Sequence, residues 1–259
     1  IERKIEENIY EKPFGEWIIG SKKTILELTR DFVTKYFKQK YSPENYIVTV
    51  VGKADFEKIC EYLEKNFKRE NKKLKSLPII KKYKETIEER PGIDQAHLIF
   101  AIHAPLANDN RRYVLEVLDA YLANGMSSKL FLEIREKRGL AYAVKSSITT
   151  EKNYSYYSVY VGTTKKAVAE VKKLILDGFK KVSEMTEKDL QEAKERLIGL
   201  RKIESEDSSE VMKNLLFTEL ATCAEDYYEY EENIKKVTLK EVKKIAKINK
   251  YSTAAIVPK

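Results

Sequence analysis

Apolar residues recur along this chain with two different spacings, one typical of helices and one typical of strands. Long stretches repeat an apolar residue every three or four positions, whereas short stretches alternate apolar and polar positions. Strand patterns that follow one another in pairs, and helical patterns that follow in groups, favour an α+β fold with helices packed on one face of a largely antiparallel sheet. The pattern predicts helices at 23–40, 54–68, 110–123, 127–138, 165–182, 186–202, 208–222, 225–234 and 238–248, and strands at 46–52, 94–103, 140–150, 153–163 and 251–257.

The composition changes across residues 69–92, where several lysines, Pro91 and Gly92 interrupt the apolar pattern. This change predicts an extended linker, and the apolar pair Ile79 and Ile80 indicates that the linker is docked on a surface. The sequence therefore predicts three parts: residues 1–68, the linker 69–92 and residues 93–259.

Two segments of the chain resemble each other across a separation of domain length. In each of them a threonine, Thr29 or Thr238, precedes a helical pattern with an acidic residue in its first turn, and the helix leads to a strand pattern. Such a repeat predicts two homologous domains, with residues 1–68 as the C-terminal remnant of the first. An upstream segment on the order of 100–150 residues would complete that domain.

The stretch from Tyr121 to Lys145 carries the densest local signals in the chain. Ser127 or Ser128 can accept a bond from the free amides of a first helical turn, and Gly139 suits the left-handed position that ends a helix. The predicted helix has a buried stripe of Leu130, Phe131 and Ile134, with Lys137 and Arg138 as positive charges at its C-terminal end.

The pattern around Gly139 places an arginine and a tyrosine at the junction of a helix and a strand. Arg135 leaves the last helical turn, and Tyr142 starts the strand that follows. Taken alone, such a pair is usually structural, because a tyrosine at a strand start mostly packs and the chain has 17 tyrosines. The period of two puts Leu140, Tyr142 and Val144 on one face of the strand, and Ala141, Ala143 and Lys145 on the other.

The same stretch contains the run Asn124-Gly-Met-Ser-Ser-Lys-Leu-Phe-Leu-Glu-Ile-Arg-Glu-Lys-Arg-Gly-Leu-Ala-Tyr142-Ala-Val. This run resembles the second homologous domain of the pitrilysin or insulinase-type zinc peptidases, in the branch similar to mitochondrial processing peptidase. The segment Asp94–Phe100 is similar to the first strand of that domain, and the segments Lys12–Gly20 and Tyr41–Gly52 are similar to the last third of the first domain. The resemblance thus covers most of the chain.

The resemblance implies a processing-peptidase-like fold and the substrate-binding C-terminal part of a zinc-dependent endopeptidase that cleaves peptides or unfolded segments. Tyr142 is then expected to donate its hydroxyl to the developing oxyanion, and Arg135 to bond a substrate carbonyl, both reaching a zinc site in another domain. Asn124 and Gly125 are expected to contact the substrate. The expected partners are a zinc-bearing domain or subunit of the same family and the peptide substrate, in a homodimer or heterodimer.

The zinc-binding motif of that family is missing from this chain. The family binds zinc through His-x-x-Glu-His on a helix, where two imidazoles share one face and the glutamate acts as general base. Here His97 and His103 share one predicted strand, roughly 20 Å apart at about 3.3 Å per residue, and are expected to be hydrogen-bonded or surface residues. Zinc is therefore expected in the complete enzyme but not in this chain, with its ligands on the upstream segment, and the chain alone is predicted to be inactive.

The helix that would carry the motif in a first domain reads here as the stretch 110–123, which has no histidine. Its carboxylates Glu116 and Asp119 are predicted to be solvent-facing or capping rather than an acid–base pair. The alternative function is a non-catalytic subunit or scaffold of a processing-peptidase-like complex. A pure scaffold needs neither Arg135 nor Tyr142, so the pair favours the peptidase.

Charge and composition narrow the class of protein. The net charge of +8 comes from 49 basic and 41 acidic residues that are interleaved, as on salt-bridged helix surfaces. No nucleic-acid partner is therefore expected. The third hypothesis, a basic RNA-binding module, predicts salt-sensitive binding of nucleic acid. No apolar run reaches the ~18 residues that span a membrane, which predicts a soluble protein. The compartment stays open between cytoplasm and periplasm. Abundant lysine and glutamate with few glutamines fits a heat-adapted source, and Cys60 and Cys223 are expected to be core thiols.

Overall fold

The structure is a computed structural model that describes residues 1–68 and 77–259. Its contacts divide the chain into two compact units: a first unit of Ile1–Trp17, Ile79–Lys202 and Tyr228–Lys259, and a second unit of Ile18–Pro78 and Ile203–Tyr227. The division into 1–68, 69–92 and 93–259 concerns homologous segments rather than packing, and stays a prediction. Within the described ranges, no helix is both long and apolar enough to cross a membrane.

The first unit is built on a five-stranded mixed sheet, which confirms the predicted α+β class. The strands are β1 (Glu85–Arg90), β2 (Ala96–His103), β3 (Ala141–Thr150), β4 (Ser155–Thr163) and β5 (Ser252–Pro258). Their order in the sheet is β1-β5-β2-β4-β3, in which β1 runs parallel to β5 and the other neighbours are antiparallel.

Residues 85–90, part of the predicted extended linker, form strand β1 and pair with β5 over six residues, which the sequence pattern did not predict. The strand was missed because it is an edge strand: most of its side chains, such as Glu85 and Glu89, are exposed, so it lacks a buried stripe. The linker residues 69–76 lie outside the described part of the chain.

The helices form the second layer of the first unit and all the regular structure of the second unit. Helix α1 (Glu2–Ile9) packs on the face of the sheet opposite to the other helices of the first unit. Its Ile5 and Ile9 contact Ile99 and Ala101 of β2. The sequence pattern did not predict this helix. The helices are α1 (Glu2–Ile9), α2 (Lys22–Leu26), α3 (Arg30–Lys40), α4 (Phe56–Asn66), α5 (Arg111–Leu122), a π-helical turn (Phe131–Glu136), α6 (Val168–Lys181), α7 (Glu187–Glu204), α8 (Ser208–Ala221), α9 (Tyr230–Lys236) and α10 (Leu239–Ile245).

Three predictions in the second unit were wrong. The predicted helix 23–40 is two helices, since Thr29 caps α3 by accepting a hydrogen bond from the amide of Phe32 at 3.2 Å. The predicted strand 46–52 pairs with no other segment of the described chain, and an apolar stretch without a partner for its backbone groups does not form a ladder. Cys60 is half-buried and Cys223 exposed, so Cys223 is not the core thiol that was expected.

The core of the first unit lies between the sheet and helices α5 and α6. Phe100 of β2 and Val159 of β4 are fully buried there, as are Val117 of α5 and Ile175 of α6. Burial of such side chains contributes about 1.5–3 kcal/mol each, so this layer holds β3 and the preceding turn in place. The candidate site lies at that turn.

Candidate functional site

The segment that carries Arg135 is a π-helical turn rather than the predicted regular helix. Its apolar face is buried as predicted, with Leu130 1%, Phe131 7% and Ile134 0% exposed. Gly139 ends it at a φ of 61°, and the amide of Gly139 donates to the carbonyl of Arg135 at 3.0 Å. The prediction of a left-handed glycine stop is confirmed, and π-helical turns are frequent at functional sites.

Arg135 projects from this turn towards solvent. Its guanidinium lies 4.9 Å from the centre of the Phe131 ring, and its side chain is 45% exposed. The nearest carboxylate, of Glu136, is 3.9 Å from Nε, at the outer limit of an ion pair. The ring of Phe131 therefore orients the guanidinium while its donors stay open to a ligand.

Tyr142 lies at a β-bulge. Ala141 pairs with Thr163 and Ala143 pairs with Gly162, so Tyr142 is an extra residue between two paired ones. The tyrosine is 62% exposed, and its hydroxyl has no hydrogen-bond partner within the described residues. Bulges occur often next to active sites, where they redirect a side chain.

The bulge also corrects the predicted faces of the strand. Leu140, Tyr142 and Val144 do not share one face, because Val144 is buried at 7% exposure while Tyr142 is exposed. An inserted residue resets the period of two, and a sequence pattern read as strict alternation cannot register it.

Asn124 and Gly125 lie in the loop between α5 and the π-helical turn, which we call the 124–127 loop. The amide of Asn124 donates to the carbonyl of Asp119 at 2.9 Å, and its side-chain nitrogen lies 3.3 Å from the Asp119 carboxylate. Gly125 has a φ of +82°, a conformation that L side chains rarely adopt. The loop is thus fixed by its own backbone geometry and by the end of α5.

The predicted serine cap is not formed. The hydroxyl of Ser128 is buried and makes no hydrogen bond within the described residues, and the hydroxyl of Ser127 accepts a bond from Arg196 at 3.1 Å instead. Arg196 also donates to the carbonyls of Ala120 and Asn124, at 2.6 and 2.7 Å.

Arg196 was missed by the sequence analysis, where it belongs to a stretch of interleaved charges that predicted a salt-bridged surface. The structure places it against the 124–127 loop, and burial lowers the pKa of its guanidinium. Its partners are 69–76 positions away in sequence, so no local pattern could have signalled them.

The carboxylates of α5 are not solvent-facing, which corrects the prediction. Asp119 is 5% exposed and accepts a bond from the hydroxyl of the fully buried Tyr157 at 2.9 Å. Glu116 accepts one from the hydroxyl of Tyr230 at 2.7 Å. Burial raises the pKa of both Asp119 and Glu116.

Both histidines are hydrogen-bonded, as predicted. His97 Nδ1 lies 2.8 Å from the hydroxyl of Tyr160, and His103 Nε2 lies 3.2 Å from the carbonyl of Lys82. Burial lowers the pKa of His103. Across residues 1–68 and 77–259, no three histidine, cysteine, aspartate or glutamate side chains are placed to hold a metal ion, so the described residues do not fit zinc.

The family model described as "Peptidase M16 inactive domain" matches residues 27–197, about two thirds of the chain. This range includes Arg135, Tyr142, the 124–127 loop and Arg196. The match agrees with the resemblance found in the sequence.

Two relatives are similar to this chain in sequence, and a solved structure has the same fold. An uncharacterized zinc protease of Streptomyces coelicolor is 28% identical over 218 residues, covering 80% of this chain and 48% of that protein. One of Mycobacterium bovis is 27% identical over 259 residues, covering 95% of this chain and 59% of that protein. The peptidase M16 inactive domain from Pseudomonas fluorescens has the same fold, with a TM-score of 0.84 at 21% identity, over 100% of this chain and 65% of that one. The chain thus spans about half to three fifths of the length of these two relatives.

Proposed function

The chain belongs to the peptidase M16 family, as its inactive domain, and from this premise we propose that it is the substrate-binding part of a zinc-dependent endopeptidase. Its substrates would be peptides or unfolded segments of proteins. The zinc ion and the His-x-x-Glu-His motif would come from another domain or subunit of the same family, in one longer chain, a homodimer or a heterodimer.

The observation that carries this proposal is the outward presentation of Arg135 and Tyr142 by two irregular backbone elements. One residue leaves a π-helical turn, the other lies at a β-bulge, and Gly139 joins the two elements. Tyr142 is 62% exposed and its hydroxyl makes no hydrogen bond within the described residues, so this hydroxyl is available to a ligand. The arrangement supports contact with a ligand outside the chain.

The chemistry of the two side chains suits peptide hydrolysis. The hydroxyl of Tyr142 would donate a hydrogen bond to the carbonyl oxygen of the scissile peptide as negative charge develops on it. The guanidinium of Arg135 would bond a neighbouring substrate carbonyl and hold the peptide extended. A donor of the first kind contributes about 3 kcal/mol to the transition state, because it acts on charge that the bound substrate does not yet carry.

The 124–127 loop would supply the third contact with the substrate. Asn124 and Gly125 precede the π-helical turn and are exposed, and Gly125 has no side chain to cover its backbone. Peptide groups of the substrate could approach such a loop closely.

The test uses the chain combined with a zinc-bearing domain, either the preceding part of its own gene product or a partner subunit. We expect peptide cleavage in the combination only, and the substitution Tyr142→Phe should lower kcat about 100-fold or more while KM changes little. Tyr62→Phe is the matched control, because Tyr62 is 63% exposed but lies in the second unit.

Three other outcomes would contradict the proposal. Equal decreases of kcat in Tyr142→Phe and Tyr62→Phe would show that the hydroxyl of Tyr142 has no oxyanion role. Cleavage by the isolated chain would mean a catalytic centre within it. A combination that contains zinc but cleaves no peptide would leave the alternative function, a non-catalytic subunit or scaffold.

A further inference from the structure

The guanidinium of Arg196 bonds three oxygens at the border of the 124–127 loop. Nη2 donates to the carbonyls of Ala120 and Asn124, and Nη1 donates to the hydroxyl of Ser127. One side chain from α7 therefore holds the last turn of α5 and both ends of the loop.

Arg196 donates to a carbonyl that has no donor within its own helix. The last four carbonyls of a helix receive no hydrogen bond from the helix backbone, and Ala120 lies in the last turn of α5. A positive charge at this end also meets the negative end of the helix dipole. From the other side, Asp119 bonds the amide and the side chain of Asn124. Asn124 is thus held between an acidic and a basic side chain.

The environment of Arg196 shows that these contacts are specific. A surface arginine extends into water, but the Nε atom of Arg196 is buried without a hydrogen-bond partner in the described part of the chain. Burial of the guanidinium is unfavourable, as the lowered pKa of Arg196 indicates. The contacts to the loop offset that cost.

We propose that Arg196 is a positioning residue that sets the conformation in which Asn124 and Gly125 meet a peptide substrate. Arg196 itself does not touch the substrate. The first half of this inference, the anchoring of the loop, concerns this chain alone. The second half rests on the function proposed above.

The planar fork of arginine is needed for this role. Its two Nη atoms point to different oxygens, whereas a lysine presents its donors from a single nitrogen and cannot reproduce all three contacts. Arg196→Lys is therefore expected to restore part of the anchoring that Arg196→Met removes.

Lys194 provides a matched control on the same helix. It is buried, and its ammonium donates to the carbonyl of Lys235 at 2.8 Å, away from the loop. Burial lowers the pKa of Lys194, as it does for Arg196. Lys194→Met thus removes a buried cation and an anchor of α7 without removing a contact to the loop.

The first experiment is amide hydrogen exchange of the chain alone. We expect the amides of Asn124 and Ser128, which donate to the carbonyls of Asp119 and Gly125, to exchange about tenfold faster in Arg196→Met, and by an intermediate factor in Arg196→Lys. Lys194→Met should leave them unchanged, and slow exchange in β2 should show that each variant is folded. Unchanged exchange at Asn124 and Ser128 in Arg196→Met, or an equal increase in Lys194→Met, would overturn the anchoring.

The second experiment measures cleavage by the chain combined with a zinc-bearing domain. A loop that binds substrate equally in the ground and transition states affects KM, so Arg196→Met should raise KM about tenfold and leave kcat within about twofold. This split is opposite to that of Tyr142→Phe, and a fall in kcat with constant KM would overturn the positioning of substrate. Absence of cleavage by the wild-type combination would instead refute the proposed function, while the exchange result would still decide the anchoring.

Discussion

The two compact units differ in how far their apolar side chains are covered. In the first unit Phe100, Val159 and Ile175 are fully buried. In the second unit no residue of α2, α3, α4 or α8 is buried within the described chain, and the large side chains of α3 are about half exposed: Phe32 57%, Val33 49%, Tyr36 51% and Phe37 54%. Local sequence forms helices in both units, but among the described residues only the first unit has a core.

The difference shows that a sequence can form an amphipathic helix without burying the apolar face of that helix. Helix α3 has a capped start at Thr29 and an apolar side that includes Phe32 and Phe37, which are the features of a packed helix. Short helices are only marginally stable in water without tertiary packing. We therefore expect the second unit to be the less stable of the two in this chain.

The largest contrast should come from the same truncation in the two units. Phe100→Ala should lower the free energy of unfolding of the first unit by about 3–5 kcal/mol, since it leaves a cavity against Phe179 and Tyr251. Phe37→Ala, at a half-exposed residue, should cost the second unit less than about 1 kcal/mol. Denaturant unfolding followed by hydrogen exchange in each unit measures both, and equal losses would show that the second unit has a core after all.

Two glycines make a smaller comparison within the first unit, between packed and open helix surfaces. A Cβ at Gly178 would lie 2.6 Å from Leu130 and 3.3 Å from Leu122, whereas one at Gly199 would have nothing within 4 Å. Gly178→Ala should destabilise by about 1–3 kcal/mol. Gly199→Ala should stabilise by about 0.5–1 kcal/mol, because alanine favours the helix. Thermal unfolding of each variant measures the change in stability. A change of the same sign in both variants would contradict the close packing of α6 on the π-helical turn.

Next, the helix caps of the sequence repeat test whether the two copies are equivalent. The hydroxyl of Thr238 accepts a bond from the amide of Glu241, and the carboxylate of Glu241 accepts one from the amide of Thr238, whereas Thr29 caps α3 through a single bond. Thr238→Ala should cost about 1–2 kcal/mol and Thr29→Ala about 0.5–1 kcal/mol, read by exchange in α10 and α3. Valine at each position, which keeps the shape but not the hydroxyl, is the control for packing.

The response to pH should differ in sign between the units. Burial raises the pKa of Asp119 in the first unit, so the folded state binds a proton that the unfolded state has lost. Stability there should fall as pH rises from the unfolded pKa of about 4 through the folded pKa. In the second unit the amide of Lys58 lowers the pKa of Asp55, and the stability it contributes should be lost as pH falls. This contrast has the smallest expected effect, because Asp55 is at the surface.

Exchange measured in each unit between about pH 2 and 8 would test both signs, because the effect of Asp119 lies above about pH 4 and that of Asp55 lies below it. Asp119→Asn keeps the shape of the side chain without its titration, so it should flatten the dependence in the first unit. If stability in the first unit still depends on pH after this substitution, another group causes the dependence. Glu116 is the next candidate, since burial raises its pKa as well.

The strands and helices with a strong pattern were predictable. The predicted strand 94–103 is β2, and the predicted helix 110–123 is α5, within one or two residues at each end. Their side chains face one core, so burial follows the period of the pattern. Strand β1 was not predictable in the same way, because its pairing with β5 depends on residues about 168 positions away.

The candidate site was predictable in its residues and not in its geometry. The run that contains Arg135 and Tyr142 identified the family, and Gly139 predicted the break between helix and strand. The bulge at Tyr142 and the anchoring by Arg196 arise from registers and contacts between distant segments. Neither feature can be predicted from the local sequence pattern.

The sequence by itself determined the family, the α+β class and the left-handed glycine that joins the turn to β3, because these depend on local residue types and short spacings. Only the tertiary structure decided which charges are buried, which strand residue is extra and what holds the 124–127 loop. The physical reason is the same in each case. Desolvation, strand register and side-chain contact are properties of segments brought together by folding, so Asp119 and Arg196 resemble surface charges until the chain has folded around them.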